Sequence, residues 1–381
     1  MITMQHPLAF AEIDLKAIRH NFRAIRNLAF KQLEPKANRD VDILSVVKAD
    51  SYGHGMVDVA RVIEKEGGRF FAVSNVDEGI ELRCSGNKHR IILLEATLPE
   101  LAPAIVKYDL TPGICTIELA LALDRECRKA KKVGVVHVKV DTGMGRLGVW
   151  HQEAAVFVRA LMKLKNIRVE GIFTHFPVAD SNKDFTEQQM RDLVSLVADL
   201  IQDGVPFRYV HAAGSMGLGG YKNHFFNLAR PGVMLYGLYP DQSLQKKLIL
   251  KPAMSVKARV LFVKTIHKGR GVSYGHTFYA KKDMTVAVVS IGYSDGYRRT
   301  FSNKSKMLIN GKFCPVVGRV TMDQTIVDVS HAGKVRLGAE AVVIGRQGKN
   351  TISADDLAHW ADTINYEIAC NIGNRLARQY V

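Results

Sequence analysis

With 381 residues, 47% hydrophobic and 24% charged, the chain has the make-up of an ordinary globular protein long enough for two domains. Five cysteines, never spaced C-x-x-C, argue against a disulfide framework or a zinc ribbon and for a reducing compartment. The formal charge of +16 raises nucleic acid or an anionic membrane as partners. The basic residues are scattered, however, and their densest groups, 125–132 and 304–306, lack interleaved aromatics, so the expectation is a solvated surface whose field favours small anions. No basic region followed by an apolar core opens the sequence, and no apolar run nears the ~20 residues of a membrane helix. A cytoplasmic protein with no metal, nucleic-acid or membrane partner is expected.

A helix is predicted over 15–28, with Leu15, Ile18, Phe22 and Ile25 on one face and Asp14 as its N-cap. Strands follow at 43–47, 70–74, 91–95, 110–115, 135–141, 169–175, 208–213 and 227–236, with amphipathic helices at 57–66, 153–165 and 186–203. Eight strands alternating with helices predict a (β/α)8 barrel, with a doubly wound open sheet as the alternative. After Pro240 the texture changes to short strands at 258–266, 285–291, 306–309, 316–317, 324–329 and 341–344 between Gly-containing turns. One helix, 353–363, is capped by Ser353. The expected division is a barrel over 1–245 and a mostly-β domain over 246–381, with 241–251 as linker and 1–13 able to pair with the second domain.

Placed on a barrel, the polar residues fall at strand C-terminal ends, where barrels do chemistry. Lys48 ends the first strand within Val46-Val47-Lys48-Ala49-Asp50-Ser51-Tyr52-Gly53-His54-Gly55. A lysine at the end of a buried strand is costly for structure but suited to a Schiff base, because desolvation frees an amine's lone pair. The glycines after it let backbone approach a ligand closely. Arg146 follows strand five, His175 ends strand six, Ser215 follows strand seven and Arg230 lies on or just after strand eight. An amine, two guanidiniums, an imidazole and the Gly-Ser-rich segment from His211 to Gly220 suit an anionic, phosphorylated cofactor. Taken singly, His175 reads as a core histidine and Ser215 as a turn residue; their convergence argues for function.

Two other patterns compete. Gly143-x-Gly145-x-x-Gly148 follows a strand, with Glu170 at the distance of a ribose-binding acid, but that acid opens a strand instead of ending one. Gly292-Tyr293-Ser294-Asp295-Gly296 matches a hydrolase elbow, with Asp328 and His331 or His359 downstream, but no amphipathic helix follows Ser294.

Taken together, VVKADSYGHG, DTGMGRLG, THF at 174, RPGVMLYGL from Arg230, VSYGHTF from Val272, IGYSDGY from Ile291 and VGRVTMDQ from Val317 resemble the alanine racemases over nearly the whole chain. The resemblance implies a pyridoxal 5′-phosphate enzyme interconverting L- and D-alanine, supplying D-alanine for peptidoglycan. It implies Lys48 as cofactor-bearing lysine and one base, with Tyr274 as the opposite base, donated by the partner subunit of a homodimer with shared sites. Arg230 would face the pyridine nitrogen, Arg146 the phenolic oxygen, and Tyr52, Ser215, Gly232 and Val233 the phosphate. His175 would bond Tyr274 and Arg230. Met322, Asp323 and Tyr293 would line the substrate pocket, and Lys139 matches a lysine often carbamylated in the family and orienting the arginine at Arg146. Racemisation needs a proton removed from one face and returned to the other, so two bases suffice. An arginine at the ring nitrogen does not readily give up a full proton, which disfavours transamination. Gly214 and Asn374 stand where the family commonly has asparagine and tyrosine, and Ala377 where it has proline. Asn374 leaves room for serine or a larger or basic amino acid as substrate. A decarboxylase of the same barrel type would place a carboxylate where Arg230 stands, and a single-domain cofactor carrier would lack the β domain.

Overall fold

The computed structural model describes residues 7–33, 41–222 and 226–381. They form two compact units. One comprises the described residues up to Ala17 with Tyr52–Gly55 and Pro252–Val381; the other comprises those of Ile18–Ser51 and Met56–Lys251. Residues 1–6 of the segment expected to pair with the second domain lie outside the described residues.

The second of these units is a parallel barrel. Its strands are, in order, Asp42–Val46, Phe70–Val73, Arg90–Leu93, Thr111–Ile114, Gly134–Asp141, Ile167–Phe173, Tyr209–His211 and Leu228–Ala229. The eighth pairs in parallel with the first, and a bridge between Gly214 and Arg230 continues the seam toward the seventh. Such strands are covered on both faces, which is why they read as continuous apolar runs. Helices Met56–Lys65, Val76–Cys84, Ala102–Lys107, Ile117–Ala130, His151–Leu161 and Lys183–Gln202 wrap them. Asn75 and Asn182 cap two of these helices through side-chain oxygens that accept from Glu78 and Phe185 N–H groups. The expected strand at 227–236 stops after Ala229. Pro231 has no N–H for a ladder, Gly232 leaves the β region, and a 3-10 turn Val233–Tyr236 follows, closed by Gly237 at φ +81°.

One irregularity matters for the interior. Val136 pairs with Val169, but His137 pairs with Gly171, so Glu170 is an extra residue bulged into the sixth strand. An alanine at 171 would put its Cβ 2.5 Å from the His137 ring, so glycine there is what admits the imidazole.

The other unit is mostly β. Ala9–Ile13 runs antiparallel to Met254–Ile266 and parallel to Ala377–Tyr380. Met284–Val289 and Glu340–Gln347 flank the long strand antiparallel. Lys306–Ile309 and Lys312–Pro315 form a hairpin about Asn310-Gly311, both at positive φ, the geometry such dipeptides favour. The strand expected at 316–317 is thereby displaced to 312–315, with Val316 left as a lone bridge to Val327. Asp14 Oδ1 accepts from Lys16 and Ala17 N–H, and Ser353 with Asp356 builds a reciprocal capping box on Ala354–Ala361.

Candidate active site

Lys48 is half-buried, two residues past the end of the first barrel strand. It opens a helical turn, Lys48–Gly53, whose residues 49–52 have φ between +51° and +55°, with Gly53 at +80°. The turn is left-handed, at a cost of ~1–2 kcal/mol for each non-glycine residue. Within the barrel unit it is held by Ser51 N–H donating to Val47 O at 2.8 Å, Ala49 N–H to Glu78 Oε1 at 2.8 Å, and Met56 N–H to Asp50 Oδ1 at 2.7 Å. The glycines that follow are needed for a reason other than a ligand. A Cβ on Gly53 would meet Ala369 O at 2.5 Å, and one on Gly55 would meet Tyr380 OH at 1.9 Å. Tyr52 lies beside Tyr366, ring centroids 6.3 Å apart, and burial holds its phenol above the usual range, with Tyr366 and Cys370 adding to it.

Arg230 is buried just past the eighth strand, and both of its terminal nitrogens are engaged by acceptors. Nη1 donates to His211 Nδ1 and His211 O, both at 2.9 Å, while Nη2 donates to Thr174 O at 2.6 Å, Ala212 O at 2.9 Å and, at 3.4 Å, His175 Nδ1. Burial pulls its pKa down to about 9, which leaves it cationic at neutral pH. Lys139 Nζ and the Arg230 guanidinium lie over the same ring, Phe173, at 4.9 and 5.4 Å. Burial, then the nearby Arg230, lowers Lys139 to about 7. His175 is lowered to about 3, by burial first and then by Arg230, Lys139, Arg146 and Lys48. Gln189 supports its backbone by donating to His175 O at 3.3 Å and Thr142 Oγ1 at 3.1 Å.

Beneath Arg230 runs a chain of buried polar groups. A guanidinium only donates, so His211 Nδ1 must accept and His211 carries its proton on Nε2. That proton is donated to His137 Nδ1 at 2.8 Å, which leaves the His137 proton on Nε2, facing Glu170 Oε2 at 3.9 Å. Burial keeps both imidazoles neutral by lowering their pKa values. For Glu170 burial alone acts upward, but His137, Arg90 and Arg168 outweigh it and hold the carboxyl below the ordinary range. Arg90 and Arg168 each reach Glu170 Oε1 at 3.2 Å.

The Gly143–Gly148 loop is organised from inside. Asp141 Oδ1 accepts from Gly143 and Met144 N–H, both at 2.8 Å, and Oδ2 from Gly145 at 2.9 Å and Arg146 at 3.2 Å. The N–H groups a dinucleotide pyrophosphate would need are therefore already taken. Ser215 opens the short helix Ser215–Gly220, and its Oγ accepts from Gly232 N–H at 3.0 Å, bringing Ser215, Gly232 and Val233 together. A Cβ on Gly214 would come no closer than 3.5 Å to His175, so glycine is not required there.

Lys48, Lys139, Arg146 and Arg230 thus gather around His175, and the one carboxylate of that loop, Asp141, is spent on backbone N–H groups. This cationic mouth fits a ligand bearing a phosphate and a phenolate oxygen, which is what pyridoxal phosphate offers.

In the β unit, Tyr274 is 72% exposed on a loop where Ser273 and His276 have positive φ. Tyr293 and Met322 are also exposed. Gly292 passes so close to Thr321 and Met322 that a Cβ would lie 2.3 Å from either carbonyl oxygen. Ser294, the residue of the elbow pattern, donates from Oγ to Met322 O at 2.7 Å. It braces the Thr321–Asp323 loop, and Arg375 Nη1 holds Asp323 Oδ1 at 2.8 Å.

Sequence reasoning missed His137 and the role of His211, and set Glu170 aside. The usable signal was the spacing of His137 and Lys139, which strand alternation puts on one face.

Family models for the alanine racemase N-terminal and C-terminal domains match residues 13–240 and 253–380. The alanine racemase of Carboxydothermus hydrogenoformans is 41% identical over 374 residues, 98% of this chain and 99% of that protein. The solved alanine racemase of Clostridium difficile 630 superposes with a TM-score of 0.90 at 33% identity, covering 99% and 96% of the two chains. A histidine racemase from Leuconostoc mesenteroides superposes with a TM-score of 0.88 at 26% identity, covering 99% of both. Fold, site and relatives define an amino-acid racemase. The chain belongs to the alanine racemase family.

Because His137, His175 and His211 are neutral in the fold, the unfolded chain binds more protons once pH falls below about 6.5. Stability of the cofactor-free protein should drop as pH falls from 6.5 to 5, His175 alone contributing up to about 1.4 kcal/mol per pH unit and His137 and His211 acting in the same direction. Denaturant midpoints across that range test it, and His175→Asn should flatten the slope by about one proton. A midpoint that does not move would show these imidazoles protonated in the fold.

Proposed function

We propose that the chain is a pyridoxal-phosphate-dependent alanine racemase that works as a homodimer in the cytoplasm and supplies D-alanine for peptidoglycan. The observation that carries this reading is the cluster of Lys48, Lys139, Arg146 and Arg230 around a neutral His175. Bound there, the cofactor supplies an electron sink for charge developing at the substrate Cα. Lys48 would hold it and move the proton on one face of Cα; the partner subunit's Tyr274 would move it on the other. Arg230, whose Nε–H none of the bonds described above uses, would donate from it to the ring nitrogen. Tyr52, Ser215, Gly232 and Val233 would hold the phosphate, Arg146 the phenolic oxygen, and Met322, Asp323 and Tyr293 would line the substrate pocket. With Nδ1 facing Arg230, His175 keeps its proton on Nε2 and can only donate it, the polarity that stabilises a phenolate on Tyr274.

Lys139 makes no ion pair among the described residues, and near neutral pH much of it is a free amine. Carbon dioxide would add to that neutral amine, the nitrogen lone pair forming the N–C bond and a proton leaving to solvent, and so place an anionic carbamate among the cations. Labelled bicarbonate should give a carbon-13 carbamate signal above about pH 7 that disappears on acidification and is absent from Lys139→Arg. Identical spectra for the two proteins would remove the modification.

The direct test is D-alanine formation from L-alanine by purified protein saturated with pyridoxal phosphate. Conversion toward a near-equal mixture establishes reaction and substrate. A second reading, a racemase for serine or a larger or basic amino acid, draws on Asn374 and on the likeness to a histidine racemase. Activity on histidine or serine with none on alanine would favour it.

A further inference from the structure

The opposite end of the barrel, where its strands begin, holds a cavity of about 600 Å³. Four cations line it, each at or beside the start of a strand: Arg69, Lys88, Arg90 and Arg208. Among the described residues two carboxylates oppose them on the lining, Asp42 and Asp109, and Asp42 is already paired with Arg69 at 3.1 Å. Arg90 is committed inward to Glu170. Lys88 and Arg208 make no ion pair among the described residues, and Arg208 is parked over the Tyr209 ring at 5.3 Å. Its backbone is fixed: Asn227 Nδ2 donates to Arg208 O at 2.7 Å, and Arg208 N–H donates to Glu170 O at 2.9 Å. Phe70 and Tyr209, packed edge to face at 5.2 Å, form an apolar side of the cavity.

Cations presented from rigid strand starts into a concavity of small-molecule size, two of them unpaired, are an arrangement that lowers its energy by taking up charge. We infer that the N-terminal mouth of the barrel binds a small organic or inorganic anion carrying at least two negative charges, with Lys88 and Arg208 as its principal partners. The site does not depend on the reaction assigned above. It lies at the strand ends opposite those that carry Lys48 and His175, so an anion there does not compete with a cofactor phosphate.

Isothermal titration of the cofactor-loaded enzyme with pyrophosphate, at constant ionic strength, tests the inference. One saturable site per chain is expected, weakened about tenfold or more in Lys88→Ala/Arg208→Ala. Lys88→Arg/Arg208→Lys should restore it. Thermal melts matching the parent protein would confirm that these exposed substitutions leave the fold intact. Citrate in place of pyrophosphate distinguishes carboxylate from phosphate preference, and binding by either supports the site. Absence of saturable binding by both, or binding undiminished in Lys88→Ala/Arg208→Ala, would overturn it.

Discussion

Replacing Tyr274 with phenylalanine is expected to lower turnover about 10²–10⁴-fold while leaving the cofactor bound, the scale on which one positioned acid–base group acts. Tyr274 is exposed in its own unit, between the positive-φ residues Ser273 and His276, so loss of its hydroxyl should not disturb folding. Its contribution would come through a phenolate stabilised by the Nε2 proton of His175. The signature is a normal cofactor absorbance with slow racemisation, and in heavy water exchange of the Cα hydrogen in one enantiomer only. Equal exchange in both enantiomers, or unchanged racemisation, would take Tyr274 out of the two-base scheme.

Lys48→Gln should behave differently. Here turnover falls by more than about 10⁴-fold, and the cofactor itself is lost on dialysis, because covalent attachment and one base disappear together. The left-handed turn begins after Lys48 and is held by Glu78 and Asp50, so the substitution leaves those anchors in place. Retained cofactor with undiminished turnover would mean that another amine does the work, with Lys139, lowered to about 7, the first to examine. The two variants together separate loss of chemistry from loss of cofactor.

Much of the barrel was legible because parallel strands buried on both faces leave continuous apolar runs, and because polar residues at their ends have little structural reason to be there. The eighth strand was overread for the same reason: Val233–Tyr236 is as apolar as a strand but is fully buried as a 3-10 turn. The left-handed turn after Lys48 was invisible, since Ala49, Asp50, Ser51 and Tyr52 carry no glycine to announce positive φ. Gly53 and Gly55 are expected to let backbone approach a ligand; what lies against them in the structure is the chain's own Ala369 and Tyr380. Glu170 was set aside as a ribose-binding acid, and nothing in the sequence marks the bulge in the sixth strand that puts it out of register beside His137. The elbow pattern at Ser294 failed as catalysis for a simple reason: its hydroxyl is committed to Met322 O.

The chain of imidazoles under Arg230 has a spectroscopic meaning as well. Both neutral rings are confined to one tautomer by a guanidinium that can only donate, so each N–H bond sits on Nε2, away from solvent. Their nitrogen chemical shifts are therefore a built-in gauge. Draw Arg230 toward a ring nitrogen at one end, or loosen Arg90 from Glu170 at the other, and the same two resonances of nitrogen-15-enriched protein register it, with no foreign probe attached.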